Sequence, residues 1–383
     1  MNKMKMLMVG PGIGHNILPW LEYLNVNNNY DVSFLCSSFH LNGSDFKNIK
    51  IIQHSLKLKQ IWKIRKLYKL QSFDILFIQG GNSSLNTLML LSLISYKISI
   101  LNIWGESILD RSHSGSLRDR IAYYFLFRKV DRILFSWYGT FDKFKRYFPA
   151  LKEKTWILYL GLSKIWFSEK IDPPSEFVNS IISSIPQGKT VCIWAKSIIY
   201  GNRFDLVIQA LKQIFDDSPE LLSNFCLYIW PGNNEEKSYR KEIENYLSLN
   251  KLSNFVKIID HPFLEFSDMV HVMKRSDFCI NFGDTDQLSN SVLEPMLLEK
   301  PLAISDIPPY NLLNEKYDLN LKLIVNDAKA IAYGFKNLLS GSFDNNKQIL
   351  KKRKEIVYKY FQFDKDIEEL FSVRLPNIVN KAN

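Results

Sequence analysis

"DTDQLSNSVLEPMLLEKPLAISD", residues 284–306, reads as an amphipathic helix that runs into a short strand. The same alternation continues on both sides of it. Upstream stand the strand candidates "TVCIWAK" (190–196), "FCLYIWPG" (225–232), "VKIIDHP" (256–262) and "DFCINFG" (277–283). "PLAISDI" (301–307) and "LKLIVND" (321–327) complete the series. Short β-branched and aromatic runs separated by helical patterns are strands buried on both faces, as in a parallel sheet.

A second series fills the first half of the chain: "KMLMVG" (5–10), "DVSFLCS" (31–37), "IKIIQH" (49–54), "DILFIQG" (74–80), "ISILNIWG" (98–105), "RILFSWYG" (132–139) and "TWILYLG" (155–161). Several end in glycine, as strand-to-helix turns do. The expected fold is therefore α/β, with two Rossmann-like, doubly wound parallel sheets. A chain of 383 residues also exceeds what one core usually supports. The pattern breaks at "FSEKIDPPSEFVNSIISSIPQGK" (167–189), whose paired prolines and polar residues read as a linker. We expect domains at 1–166 and 190–360, and a last helical stretch in 361–383, around "IEELFSV" (367–373), that folds back over the first domain. Ligands of such sheets bind beyond the C-terminal ends of the strands, so a cleft between the two sheets is the expected site.

With 46% apolar residues and no low-complexity run, the chain is a folded globular protein. Its net charge of +10 is uneven: residues 1–170 hold 24 Lys and Arg against 11 Asp and Glu, and the remainder 25 against 28. The basic half points to an anionic partner. Cys36, Cys192, Cys226 and Cys279 each lie in an apolar run without metal-knuckle or redox spacing, and read as reduced core residues. The N-terminus has too few apolar residues before its first glycine for a signal-peptide core. "LNTLMLLSLISYKISILNIW" (85–104) is interrupted by Asn86, Ser92, Ser95 and Lys97, against a membrane span. A soluble or peripheral cytoplasmic protein is expected.

The helix in residues 284–306 has a polar head. Ser289, Asn290 and Ser291 stand where it begins, and Asp286 and Glu294 have seven residues between them. The free N–H groups and dipole of a helix start bind anions, phosphate above all. Glu294, a turn further on, is placed to accept from paired hydroxyls such as those of a ribose. N-capping by Ser or Asn and an acidic residue near a helix start explain much of the same pattern.

Asp286, seven residues, Glu294 and then "PMLLEKPLAISDI" resemble the signature region of GT-B glycosyltransferases, especially glycosyltransferase family 4. Asp286 stands for the first Glu of the family pattern, Ser289 for a small residue, usually Gly, and "EKPLA" for its Gly-x-Pro run. The layout of two Rossmann domains, linker and final helix is similar as well. The resemblance implies that Glu294 holds the donor's ribose, Asp286 contacts the sugar, and the backbone of Ser289, Asn290 and Ser291 holds the diphosphate. It also implies an Arg and Lys pair after the first strand of the second domain. Here "IWAKSIIYGNRFDLVIQAL" supplies Lys196 and Arg203, which would neutralise the leaving group. No Asp-x-Asp dyad stands out in a loop suited to a metal-bound diphosphate, so metal-independent chemistry is expected, with no cofactor beyond the nucleotide-sugar donor.

On the N-terminal side, "VGPGIGHN" (9–16) has Gly10, Gly12 and Gly14 after the first strand. The spacing is not G-x-G-x-x-G, which argues against a dehydrogenase. By the resemblance this turn approaches donor phosphates and acceptor, with Gly14 on the donor and His15 near the reacting hydroxyl; a lone His is also commonly structural. "NIWGESI" (102–108) resembles the W-G-S-D element of bacterial family 4 members, with Glu106 and Ser107 replacing the Ser–Asp order. Glu106 is an acceptor-binding candidate or a helix cap. In "SLKLKQIWKIRKLYKL" (55–70), Lys59, Lys63 and Lys66 form one helical stripe beside Trp62, suited to anionic lipid or simply to solvent. No recognised nucleic-acid module accompanies the charge. The activity that the resemblance implies is retaining sugar transfer from a nucleoside diphosphate sugar to a lipid-linked glycan, as in bacterial O-antigen or capsule assembly. A nucleotide-sugar epimerase of the same fold and a non-catalytic subunit binding a membrane or partner enzyme are the alternatives.

Overall fold

A computed structural model describes residues 3–10, 17–37, 46–54, 58–69, 71–80, 84–104, 106–159, 161–231, 235–260, 264–286, 288–340 and 346–382. The chain divides into two compact units, one of residues 1–160 with 363–383 and one of residues 161–362.

The first unit holds strands β1 (Met4–Gly10), β2 (Tyr30–Cys36), β3 (Ile49–Gln53), β4 (Ser72–Gln79), β5 (Ser95–Ile103), β6 (Arg132–Phe135) and β7 (Thr155–Ile157). They form one seven-stranded sheet in the order β3-β2-β1-β4-β5-β6-β7, with every pairing parallel. Both faces are covered, and side-chain alternation decides which residue serves which core. Met6 and Met8 enter one cluster with Trp20, Phe34 and Phe77, while Leu7 and Val9 enter the other with Leu35, Leu76 and Ile78.

The chain's end completes the first of these clusters. Ile367, Leu370, Phe371, Leu375 and Val379 are buried in it, and the Tyr30 hydroxyl donates to the Phe371 carbonyl. Their spacing follows one face of a helical segment, which is why a short, otherwise polar stretch is held against this sheet.

The second unit holds β8 (Thr190–Ala195), β9 (Phe225–Trp230), β10 (Val256–Ile258), β11 (Phe278–Asn281), β12 (Leu302–Ser305) and β13 (Lys322–Ile324), in the order β10-β9-β8-β11-β12-β13, again all parallel. β9, β11 and β12 are buried at every position, as expected of strands covered on both faces. The helix Phe204–Asp217 packs through Phe204, Val207, Ile208, Leu211 and Ile214, a stripe of helical period.

Residues 167–189 are not a free linker. Ser175 caps the helix Glu176–Ser184 by accepting from the Val178 N–H, and the Ser175 N–H donates to Asp268 at 2.7 Å within the second unit. Pro173 and Pro174 stand in the irregular stretch just before that N-cap, inside the second unit and not at its edge. The units change at 160/161 and 362/363. There Leu162 N–H donates to Phe361 O at 2.9 Å, and a Cβ on Gly161 would lie 1.9 Å from that oxygen, so glycine is required. All four cysteines are buried and free. Among the described residues no helix is long and apolar enough to cross a membrane.

Candidate functional site

The strongest polar constellation lies within the second unit, where β8 and β11 end side by side. β8 leads into Lys196, and β11 ends on Asn281, a fully buried polar residue in an apolar strand. Lys196 Nζ donates to Asn281 Oδ1 at 2.8 Å and to Asp286 Oδ2 at 2.6 Å. Asn281 Nδ2 donates to the hydroxyls of Ser291 and Tyr310, both at 2.9 Å. Tyr310 in turn donates to Asp286 Oδ2 at 2.6 Å, closing a ring of four side chains from four chain segments. Burial and the neighbouring Asp286 carboxylate hold the Tyr310 phenol protonated, well above its usual range.

The helix Asn290–Leu297 begins at this ring. Ser289 occupies its N-cap, yet its hydroxyl caps no backbone N–H; it lies 2.7 Å from the Ser291 hydroxyl instead. Ordinary capping therefore does not account for the polar head. From Ser291 to Leu297 every residue of the helix is buried. Glu294 is among them, 6% exposed, and among the described residues no hydrogen bond reaches its carboxylate. Burial pushes its pKa up to about 8. An unpartnered carboxyl inside a helix core is costly unless a ligand supplies donors.

The second cation stands on an adjoining loop. Arg203 adopts left-handed backbone angles (φ 51°) at the N-cap of the helix Phe204–Asp217. Its guanidinium bridges Asp205 and Asp284, each at 3.2 Å; the Asp205 hydrogen bond is the main reason its pKa lies above the ordinary value. Asp284 N–H donates to Gly201 O at 2.9 Å, tying the two loops together. Gly283 sits in the angle between them. A Cβ there would meet Gly201 O at 3.1 Å and Lys196 Nζ at 3.6 Å. The Gly283 N–H donates to Ser305 Oγ and its carbonyl accepts from Asn326 Nδ2, both at 2.8 Å.

Asp284 and Asp286 do have Asp-x-Asp spacing, contrary to the reading of the sequence. They are not an open carboxylate pair, because Arg203 holds one and Lys196 the other. Among the described residues no three His, Cys, Asp or Glu side chains cluster as a metal site.

The structure thus brings Lys196, Asp286, Ser289 and Ser291 into one hydrogen-bonded group, with Asn290 and Glu294 on the same helix and Arg203 on the loop joined to it. Gly14 and His15 lie outside the described residues, as does most of "DHPF" (260–263). Glu106 opens the helix Glu106–Ser114, and Lys59 and Trp62 lie on the helix Leu58–Tyr68, but their side chains are outside the description. On that second helix Lys63 and Lys66 are exposed, while Ile64 and Tyr68 are buried. Trp104 of "NIWGESI" packs against Gly80 and donates from Nε1 to Gln79 Oε1 at 3.0 Å. Sequence reading missed Asn281, Tyr310, Gly283, Ser305 and Asn326. Asn281 carried a usable signal, a polar residue closing an apolar strand; Tyr310 carried none, because only folding brings it to Asp286.

Comparison with solved structures decides the architecture. HepE from Anabaena, in complex with UDP-glucose, superposes with a TM-score of 0.72 over 97% of this chain and 100% of its own, at 14% identity. Sucrose-phosphate synthase from Thermosynechococcus elongatus gives 0.73 over the whole of both chains at 11% identity. This chain has the GT-B fold. WaaG, a glycosyltransferase involved in lipopolysaccharide biosynthesis, gives 0.70 over 95% of this chain and 98% of its own at 12% identity. No family model and no curated protein sequence matches the chain. In GT-B terms the constellation around Lys196 belongs to the C-terminal sheet.

Proposed function

We propose that this protein is a retaining, metal-independent glycosyltransferase. It moves a sugar from a nucleoside diphosphate sugar to a hydroxyl of a lipid-linked glycan, in assembly of a bacterial surface polysaccharide such as O-antigen or capsule. The observation that carries the reading is the buried Glu294, whose carboxylate has no hydrogen bond among the described residues, on a helix whose uncapped start is joined to Lys196 through Asn281. A ribose supplies the paired hydroxyl donors that Glu294 lacks. The first-turn N–H groups at Ser289, Asn290 and Ser291 receive the diphosphate. Lys196 and Arg203 offset its charge as it leaves, the role a preorganised cation serves in a site without metal. HepE, solved with UDP-glucose on the same fold, supports a nucleotide-sugar donor, and WaaG supports a surface-glycan setting.

By the family resemblance Asp286 contacts the donor sugar, Gly14 lies on the donor and His15 near the reacting hydroxyl, Glu106 binds the acceptor, and transfer retains configuration through attack on the face from which the diphosphate departs. The acceptor's lipid places the enzyme in the cytoplasm against the inner face of an anionic membrane, with the Lys59, Trp62, Lys63 and Lys66 helix towards it. The deciding experiment is incubation with a panel of nucleotide sugars, following nucleoside diphosphate release and binding. Release with one donor is expected; absence of binding by every donor would overturn the reading.

A further inference from the structure

The helix Leu117–Lys129 is apolar on two opposite faces. Ala122, Tyr123, Leu126 and Phe127 are buried beneath it. On the other side Leu117, Ile121, Tyr124 and Phe125 are exposed by 70%, 49%, 41% and 57%. At 3.6 residues per turn these four form one outer stripe. Single exposed apolar residues are ordinary, but a continuous helical ridge of them marks an interaction surface.

The charge around the ridge indicates what covers it. Arg118, Arg120, Arg128 and Lys129 are all exposed and flank or end the stripe. Arg128 lies over the Tyr124 ring, 4.4 Å from its centre, and Lys129 Nζ donates to Ser92 Oγ on the neighbouring helix at 2.7 Å. The helix's one acid, Asp119, is half-buried and accepts from the Ser116 hydroxyl at the N-cap, so the outer stripe is free of carboxylates. Among the described residues Arg118, Arg120 and Arg128 have no carboxylate partner. A second copy of this face would set cations against cations, which disfavours self-association.

We propose that this ridge docks on an anionic lipid bilayer, with Leu117, Ile121 and Phe125 entering the acyl boundary and the cations meeting the lipid phosphates. An aliphatic and aromatic ridge with basic flanks is the composition that lies in a membrane interface. The cationic helix at Lys63 and Lys66 offers attraction without insertion; this ridge adds the apolar contact. The inference does not depend on the donor site.

The test is co-sedimentation of the full chain with vesicles containing phosphatidylglycerol and with vesicles of phosphatidylcholine alone, alongside the oligomeric state in solution. The wild type is expected to bind the anionic vesicles, and Ile121→Asp/Phe125→Asp to weaken that binding by at least about tenfold with an unchanged thermal melt. Arg118→Gln/Arg120→Gln, which leaves the ridge itself intact, is expected to weaken it more at low salt than at high salt. Unchanged vesicle binding by both variants would overturn the proposal. So would a wild-type dimer that Ile121→Asp/Phe125→Asp converts to monomer. Nucleotide binding that persists in a chain unable to bind vesicles would remove the docking face and leave the transferase reading standing.

Discussion

Lys196 Nζ and Asp286 Oδ2 lie 2.6 Å apart, and the same oxygen accepts the Tyr310 hydroxyl at 2.6 Å. The cation assigned to the diphosphate and the acid assigned to the sugar therefore hold each other in place. Their side chains are only 15% and 17% exposed, so the pair is shielded more than a surface ion pair. On the proposed reading, removing Lys196 withdraws a charge from the leaving group and takes away one of the contacts that position Asp286, while Tyr310 still donates to it. Lys196→Ala is expected to lower turnover of the nucleotide sugar by about 10²–10³-fold, the scale of losing one preorganised stabilising group. Steady-state kinetics checks this, and a change confined to KM would count against the leaving-group role.

Glu294 separates ribose recognition from a merely buried acid. Glu294→Ala should weaken nucleoside diphosphate binding by about 1–3 kcal/mol, the range for leaving a buried polar partner without its hydrogen bond. Isothermal titration with the nucleotide alone measures it without catalysis. Equal affinity in wild type and variant would remove Glu294 from the donor site.

The same residue makes a pH prediction independent of any ligand. The Glu294 pKa is raised to about 8 by burial, and that of Asp366 to about 7, by burial first and by Glu369 second. Both folded values lie above the unfolded carboxylate range, so across that window the native state binds more protons than the unfolded state. Stability is therefore greatest below the unfolded value and is lost as pH rises through the folded one. The melting temperature of the unliganded protein should fall between about pH 5 and pH 8.5, and fall less in Glu294→Gln. An identical decline in the variant would contradict a Glu294 carboxyl held neutral by burial.

Phe371 tests how far the chain's end holds the first unit together. Its ring lies 5.3 Å from that of Tyr30, 5.6 Å from Tyr23, 6.1 Å from Trp20 and 6.2 Å from Phe77, centre to centre. Phe371→Ala should cost about 3–5 kcal/mol, the range for emptying an aromatic site in a core. Chemical denaturation of the variant measures the loss; a cost below about 1 kcal/mol would mean that the segment is not part of that core.

Secondary structure was legible because it depends on local pattern. All thirteen apolar runs read as strands are strands, since a strand covered on both faces needs an unbroken apolar run and little else. The stretch 167–189 misled for the same reason: prolines mark local chain direction, and whether the following residues pack is settled by distant partners such as Asp268.

The residues with chemistry in them were visible singly. Lys196, Arg203, Asp286, Ser289, Ser291 and Glu294 could be named from residue type, spacing and family likeness. Their pairing could not. That Lys196 faces Asp286 across ninety positions, that Arg203 is shared by Asp205 and Asp284, and that Tyr310 and Asn281 close the ring depend on parallel strands bringing their C-terminal ends together. The outer ridge on Leu117–Lys129 has the same origin, because an apolar helix reads alike whether one face or both are covered. Sequence by itself determined the two parallel sheets and named the residues proposed for the diphosphate and the ribose. Only the tertiary structure decided which charges neutralise one another, which buried carboxyl has no donor among the described residues, and which apolar face remains in solvent, since each depends on contacts between segments far apart in the chain.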